Sequence, residues 1–164
     1  LFSASSYAQP AKGDIDINAG IGAGFYYTSG SSISVPPIGA SLDYHVEDRF
    51  SVGGIITYSS SVYKYPYGGR YNMTYLTLGA RANYHFEVNE KIDPYIGAIV
   101  AYNIFNYNWS GEPYADPGFN FSFNAIIPGF YAGGRYLFNE NLGAFLELGY
   151  PKIRIGVVFK LAGY

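Results

Sequence analysis

Apolar side chains recur at every second position through most of this chain, and polar or small residues fill the positions between them. The clearest stretch covers residues 75–86 and reads YLTLGARANYHF. Because successive side chains of a β-strand point to opposite faces, this period of two predicts strands with one apolar face. Eight such runs follow one another: Asp14–Tyr27, Ile38–Val46, Phe50–Ser59, Tyr75–Phe86, Ile96–Ile104, Ala125–Phe138, Ala144–Tyr150 and Ile153–Leu161.

The connections between these runs alternate in length. The segments 47–49, 87–91 and 139–141 are short turns, whereas 28–37, 60–71 and 106–124 are predicted as long loops, and Pro151 alone separates the last two runs. Short periplasmic turns and longer external loops are typical of outer-membrane β-barrels. The pattern therefore predicts an all-β fold, an eight-stranded antiparallel up-and-down transmembrane β-barrel with both termini in the periplasm.

Composition supports a membrane location. Charged residues make up 13% of the 164 residues and aromatic residues 20%, whereas a soluble domain carries roughly 25% charge. Mean hydropathy is only +0.02, and no apolar run approaches the roughly 20 residues of a spanning helix. These values favour a barrel that is apolar outside and polar inside. Aromatic residues beside the short turns are expected to form a girdle: Tyr44, Phe50, Tyr84, Phe86, Tyr136 and Phe138.

A soluble barrel of the lipocalin type, with its apolar face inward, is the alternative architecture. Residues such as Asp16, Arg81 and Glu147 would then have to coat the outer surface, together with many glycines. That surface would carry very little charge, so the membrane orientation is favoured.

The beginning of the chain, LFSASSYAQ, looks like the end of a secretory signal with cleavage after Ala8. A flexible polar arm is the alternative. In either case we expect residues 1–12 to stand outside the fold and residues 13–164 to form the barrel domain. The net charge of −2 without a charged block gives no indication of a nucleic-acid partner. The chain has no cysteine, which excludes disulfides and thiolate metal sites.

Two segments carry a resemblance to a known superfamily. GFYAGGRYLFNENLGAFLELGY contains a Gly-rich strand, an Asn-containing turn and an inward Glu147, and IRIGVVFKL is similar to the closing strand that the barrel-assembly machinery reads. From about Asp14 to Leu161 the chain resembles the small outer-membrane β-barrel superfamily, which includes the OmpA transmembrane domain, OmpX and OmpW-like proteins. The closing signal usually ends on an aromatic residue, whereas here Phe159 is followed by five further residues.

The resemblance implies a protein of the Gram-negative outer membrane that contacts lipid and lipopolysaccharide and is inserted by the barrel-assembly machinery. The superfamily includes membrane anchors, adhesins, small channels and a few lipid A enzymes. It is therefore informative about architecture and much less so about function.

Charged residues on the inward face are the first candidate site. An eight-stranded barrel leaves an interior just wide enough for side chains, and an unpaired buried charge is very costly. We therefore expect a polar plug with Glu147 and its arginine neighbours at the centre, with a narrow gated pore as the alternative. The predicted lumen polar network is Asp16, Asp43, His45, Arg81, Arg135, Glu147, Arg154 and Lys160.

Aromatic residues of the predicted external loops are the second candidate site. With the Ser and Asn residues around them they predict a binding surface for an extracellular or envelope protein partner, or else an upper belt that touches lipopolysaccharide. These residues are Tyr63, Tyr65, Tyr67, Tyr71, Tyr107, Trp109 and Tyr114.

Catalysis is not predicted. His45 and His85 are the only histidines, and both lie next to short turns, away from the outer leaflet where lipid A enzymes of this architecture act. No Gly-x-Ser-x-Gly elbow occurs, and no spacing of histidines and carboxylates suggests a metal or another cofactor. We predict a non-enzymatic protein with a structural or surface-interaction role. A small-solute channel is the first alternative and a lipid A-modifying enzyme the second.

Overall fold

One antiparallel sheet closes on itself in the computed structural model, which describes residues 10–24, 30–66, 68–111, 119–150 and 152–163. Each strand pairs with the next in sequence, and β8 pairs with β1. The predicted fold class is therefore confirmed. No helix in the described ranges is long and apolar enough to span a membrane. The strands are β1 Ile15–Gly24, β2 Ser32–Glu47, β3 Phe50–Lys64, β4 Arg70–His85, β5 Ile92–Ser110, β6 Phe121–Leu137, β7 Leu142–Tyr150 and β8 Lys152–Leu161.

The two ends of the barrel differ. The turn end carries the connections 48–49, 86–91 and 138–141, together with the start of β1 and the end of β8. Asparagine side chains shape two of these turns: Asn89 Oδ1 accepts hydrogen bonds from the backbone of Lys91 and Ile92, and Asn139 does the same two and three residues further on. Such Asx turns explain why short polar sequences reverse the chain here. The opposite end is called the loop end.

Large apolar side chains cover the outer surface between the two ends. Leu42, Ile56, Ile96 and Ile155 are exposed there, while the residues between them on each strand point into the barrel. Aromatic residues border this band near the turn end, where Phe50 and Tyr84 pack edge to face at 5.0 Å. Tyr58, Tyr102 and Tyr150 are exposed on its other side.

The strands continue further toward the loop end than the sequence pattern predicted. The segments 28–37, 60–71 and 106–124 were expected to be loops, but β2 already begins at Ser32, and the hairpins β3–β4 and β5–β6 extend to the pairs Lys64–Arg70 and Tyr107–Phe121. Pro36 and Pro37 fit into β2 because the register with β3 shifts on either side of Val35, as expected where prolines cannot donate to the ladder.

The reason for this difference is an inversion of the alternating pattern. At the loop end Phe105, Tyr107 and Trp109 share the inward face of β5, whereas Asn106 and Asn108 face outward. Strands that rise beyond the lipid meet water, so their outer face is polar and their inner face apolar. A search for apolar residues on the outer face therefore ends these strands too early.

The barrel wall is lowest at β7 and β8. Strand β7 ends at Tyr150 and β8 begins at Lys152. Pro151 between them lies outside the described residues. The pairing of β6 with β7 begins only at Phe130 and Tyr150, so residues 121–129 have no partner on β7. Residues 1–9 also lie outside the described residues, so a separate N-terminal arm stays a prediction.

A matched pair of arginine substitutions on β4 should locate the apolar band. Ala80 faces outward in the middle of β4, and Thr74 faces outward near the loop end. Ala80→Arg is expected to lower the free energy of unfolding by about 2–4 kcal/mol, and Thr74→Arg by about 1 kcal/mol or less, because the cost of a lipid-facing arginine falls toward the membrane surface. Urea unfolding in phosphatidylcholine vesicles measures both, and equal costs would contradict a band that ends between these positions.

Candidate functional site

Ionic side chains fill the interior from the turn end to the middle of the barrel. Those that contact one another are named here the lumen charge network, and each is at most 5% exposed. Every strand except β3 contributes one charged residue to it. The network consists of Asp16, Asp43, Arg81, Asp93, Arg135, Glu147 and Arg154.

Arg135 on β6 is bound by three carboxylates. Its Nη1 lies 2.7 Å from Asp16 and 3.0 Å from Asp93, and its Nη2 lies 2.8 Å from Asp43. The guanidinium also stacks over the Tyr95 ring, 4.7 Å from its centroid. This one side chain therefore joins β6 to β1, β2 and β5.

Glu147 on β7 forms the second centre. It accepts hydrogen bonds from Arg81 Nη2 at 2.6 Å, Arg154 Nη1 at 3.0 Å and the Tyr95 hydroxyl at 2.9 Å. Arg81 Nε also lies 2.9 Å from Asp43 Oδ1, an ionic contact outside hydrogen-bond geometry. Since Arg81 comes from β4, three strands away from β7 around the barrel, its contact with Glu147 crosses the lumen.

Two tyrosines reach into the lumen over cross-strand glycines. Tyr95 is paired with Gly133 and Tyr131 with Gly97, and a Cβ on either glycine would approach the ring of its partner to 2.6 Å or less. Only glycine leaves room for these rings on the wall. Arg81 stacks on Tyr131 at 4.7 Å, and the Tyr131 hydroxyl donates to Asn83. The glycines thus make the arginine–aromatic contacts possible.

Both histidines are buried near the turn end, 4.7 Å apart between ring centroids. His45 Nε2 lies 2.6 Å from Asp16. His85 Nδ1 lies 2.8 Å from Asp93, and its Nε2 lies 3.0 Å from Ser51 Oγ. Each histidine is therefore held by a carboxylate of the network.

Ser51, His85 and Asp93 match the distances of a Ser–His–Asp triad. Ser51 is nevertheless fully buried, and its hydroxyl also accepts a hydrogen bond from Asn83 Nδ2 at 2.9 Å. A nucleophile needs space for a reacting carbonyl group about 3 Å away, and these contacts leave the hydroxyl enclosed. The geometry is that of a structural hydrogen-bond chain.

The other residues singled out from the sequence lie in three places. Lys160 is at the turn end, where its Nζ lies 3.1 Å from Asp14. Tyr65 lies in the β3–β4 connection, 5.0 Å from Tyr63 and 5.6 Å from Trp109 between ring centroids. Tyr67 and Tyr114 lie outside the described residues.

Four aromatic residues expected in external loops lie in strands instead. Tyr63, Tyr71, Tyr107 and Trp109 occupy the inward-facing positions of β3, β4 and β5. The physical reason is the inverted pattern of the loop end, which turns their apolar rings away from water. They are therefore part of the upper lumen wall.

Sequence reasoning missed several residues of the lumen. Asp93 and Tyr95 alternate in step with the inward residues of β5, but the predicted run begins after them. Lys152 likewise alternates in step with Arg154 on β8. Extending the alternation to the strand ends would have found all three. In the described ranges, no group of three His, Cys, Asp or Glu residues is placed to hold a metal.

A transmembrane β-barrel is thus the class that the fold and the lumen define. Residues 1–158 match the family described as outer membrane protein beta-barrel domain, and the chain belongs to that family, whose members lie in the bacterial outer membrane. No curated protein matches the chain.

Several small outer-membrane barrels are among the solved structures similar to this chain. OprG from Pseudomonas aeruginosa aligns with a TM-score of 0.67 at 16% identity, covering 94% of this chain and 99% of that one. The attachment invasion locus protein Ail of Yersinia pestis aligns at 0.61 and 12%, covering 92% and 99%. Neisserial surface protein A aligns at 0.56 and 17%, covering 90% and 96%. At these identities the likeness concerns the fold alone.

Arg135 and Arg49 offer a matched test of the network. Arg135→Met would leave three buried carboxylates without their shared cation, and we expect it to lower the free energy of unfolding by about 3–5 kcal/mol. Arg49 pairs with Glu87 at 3.1 Å on the surface of the turn end, and these hydrogen bonds raise the pKa of Arg49 above its usual value. Because this pair is exposed, Arg49→Met should leave stability nearly unchanged. Urea unfolding in lipid vesicles compares the two, and similar losses would contradict the central role of Arg135.

Proposed function

We propose that this protein is a non-conducting, non-enzymatic outer-membrane barrel with a structural or surface-interaction role. In this proposal its turn end and both termini face the periplasm and its loop end faces the exterior. The observation that carries it is the lumen charge network, in which Arg135 and Glu147 each collect three buried partners.

Closure of the lumen follows from the cost of separating these ions. The pair between Arg81 and Glu147 crosses the lumen from β4 to β7, and both side chains are almost completely buried. A buried ion that loses its partner is destabilised by several kcal/mol. A solute crossing the barrel would have to break such pairs, so we infer a plug. A gated pore along the same residues is the second candidate.

The loop end supports a role in surface interaction. Strands β3 to β6 continue past the apolar band, and exposed aromatic residues lie just beyond their ends, such as Tyr65 and Phe119, which are 45% and 79% exposed. Large exposed aromatic side chains are common anchors of binding sites. We propose lipopolysaccharide or an extracellular or envelope protein as the partner. The name of the similar barrel Ail, attachment invasion locus protein, associates that protein with attachment.

Other roles receive less support. Ser51 is enclosed within its hydrogen bonds, so we propose no lipid A chemistry. We also propose no cofactor and no nucleic-acid partner. The chain is proposed to depend on the barrel-assembly machinery for insertion, with β8 as the recognised strand. Outer-membrane lipid would then surround the apolar band.

Conductance distinguishes the plug from the pore. In planar bilayers we expect the wild-type barrel to be silent. The double substitution Arg81→Ser with Glu147→Ser should produce discrete conductance steps, because it removes a cross-lumen pair without changing the net charge. Heat-modifiable migration on a detergent gel checks that each variant is folded. Discrete steps from the wild type would overturn the plug and favour the channel.

Single-cysteine labelling tests the orientation, because the chain has no cysteine of its own. Ser110→Cys lies at the loop end and Glu90→Cys at the turn end, both at exposed positions. With a membrane-impermeant maleimide, intact cells should label Ser110→Cys, whereas Glu90→Cys should label only after lysis. The reverse pattern would refute a periplasmic turn end.

A further inference from the structure

The inner wall changes character toward the loop end. Met73, Tyr75 and Phe105 form a buried apolar cluster there. Phe105 stacks on Phe123 with ring centroids 4.6 Å apart, and Tyr107 packs on Tyr75 at 6.4 Å. The lumen is thus lined by aromatic side chains toward the loop end and by ionic side chains toward the turn end.

Lys152 lies at the boundary between these two regions. From the first position of β8 its half-buried side chain crosses the lumen and donates hydrogen bonds to Thr57 and to Thr77 Oγ1, the latter at 2.8 Å. The described residues place no carboxylate within ion-pair distance of its Nζ. A lysine inside a barrel with only hydroxyl partners is an uncompensated cation.

Arg154, the next inward-facing residue of β8, has unused donors as well. Its Nη1 donates to Glu147, but its Nη2 is buried and has no hydrogen-bond partner among the described residues. Glu147 is shared with Arg81. The loop-facing side of the network therefore carries an excess of cations, while Asp16 and Asp93 lie around Arg135 toward the turn end.

A small cavity lies between these cations and the apolar wall. Its volume is about 40 Å³, and it is lined by the cations Lys152, Arg81 and Arg154, by the carboxylate Glu147 that pairs with both arginines, and by Thr57, Thr77 and Ala101. A single water needs roughly 10–15 Å³ of such volume, so this space suits one small polar group. Tyr150, the last residue of β7, also borders the cavity. The cavity therefore lies beside the β7–β8 hairpin, where the barrel wall is lowest.

An apolar path leads from the cavity toward the loop end. Ala101 is paired with Ile127 on β6, and above it the inward-facing Phe121 and Phe123 are 49% and 47% exposed. This part of β6 has no partner on β7, so the rings are accessible above the short hairpin. A chain of methylene groups could lie along this surface.

We propose that this site binds a small amphiphilic carboxylate from the loop end. Its anionic head would accept hydrogen bonds from Lys152 and Arg154, and its apolar tail would cover Ile127 and the phenylalanine rings. Charge-assisted hydrogen bonds fix the head, and each methylene removed from water strengthens binding roughly fourfold. The site lies at the boundary between the ionic and the aromatic parts of the lumen. The proposal does not depend on whether the barrel conducts.

Octanoate binding to the refolded barrel in phosphatidylcholine nanodiscs tests the proposal by calorimetry, with empty nanodiscs as the blank. Lys152→Gln should weaken octanoate binding about tenfold or more, since it removes a charged donor. Lys152→Arg should retain it. The matched control Lys64→Gln removes an exposed lysine at the loop end and should leave the affinity unchanged.

The ligand series separates the head from the tail. Acetate lacks six methylene groups of the tail and should bind at least about a hundredfold more weakly than octanoate, whereas 1-octanol lacks the charge and should bind about tenfold more weakly. Equal affinities of acetate and octanoate, or of octanol and octanoate, would overturn the amphiphile proposal. Equal losses in Lys152→Gln and Lys64→Gln would overturn the assignment of the head.

A second variant covers the case in which Lys152→Gln does not refold. Ile127→Ser shortens the apolar path on β6 without touching a cation, and it should weaken octanoate binding but not acetate binding. Unchanged octanoate affinity in this variant would contradict the placement of the tail.

Discussion

This barrel depends on one constraint: the charges inside it must compensate one another, because the lumen is only wide enough for the side chains that fill it. Arg135 needs carboxylates from β1, β2 and β5, and those carboxylates are almost completely buried. A slip of one residue in any strand other than β3 would turn its charged lumen residues toward lipid. The ionic contacts therefore specify register as well as stability, and the cross-strand glycines that admit Tyr95 and Tyr131 belong to the same arrangement.

Alternation in the sequence was sufficient to predict the number of strands and the inward position of residues such as Arg81 and Glu147, because one periodic pattern runs through each strand. It was insufficient at the loop end, where water replaces lipid and the polarity of the two faces reverses, so Tyr107 and Trp109 were assigned to a loop. Which arginine meets which carboxylate depends on how strands far apart in sequence are staggered around the barrel. No local pattern contains that information.

The Ser51–His85–Asp93 chain shows why distances alone do not define an active site. Its spacings suit proton transfer, yet its hydroxyl is shared with Asn83 and enclosed by the wall. Lys152 presents the opposite case. It resembles no catalytic group, but it borders a cavity between the ionic and the aromatic parts of the lumen. The proposed ligand site therefore rests on the unused donors of Lys152 and Arg154 and not on the resemblance of buried groups to a catalytic arrangement.

The seam between β1 and β8 gives the network a further consequence for assembly. Asp16 on β1 reaches Arg135 on β6 across the lumen, a contact that needs the closed seam, whereas Arg154 on β8 pairs with Glu147 on the neighbouring strand β7 even without it. A sheet still open at that edge would hold Arg135 and Glu147 with incomplete sets of partners inside a lipid environment. Neutralisation of the interior and circular closure of the sheet must therefore be one cooperative event, which disfavours any stable half-inserted form.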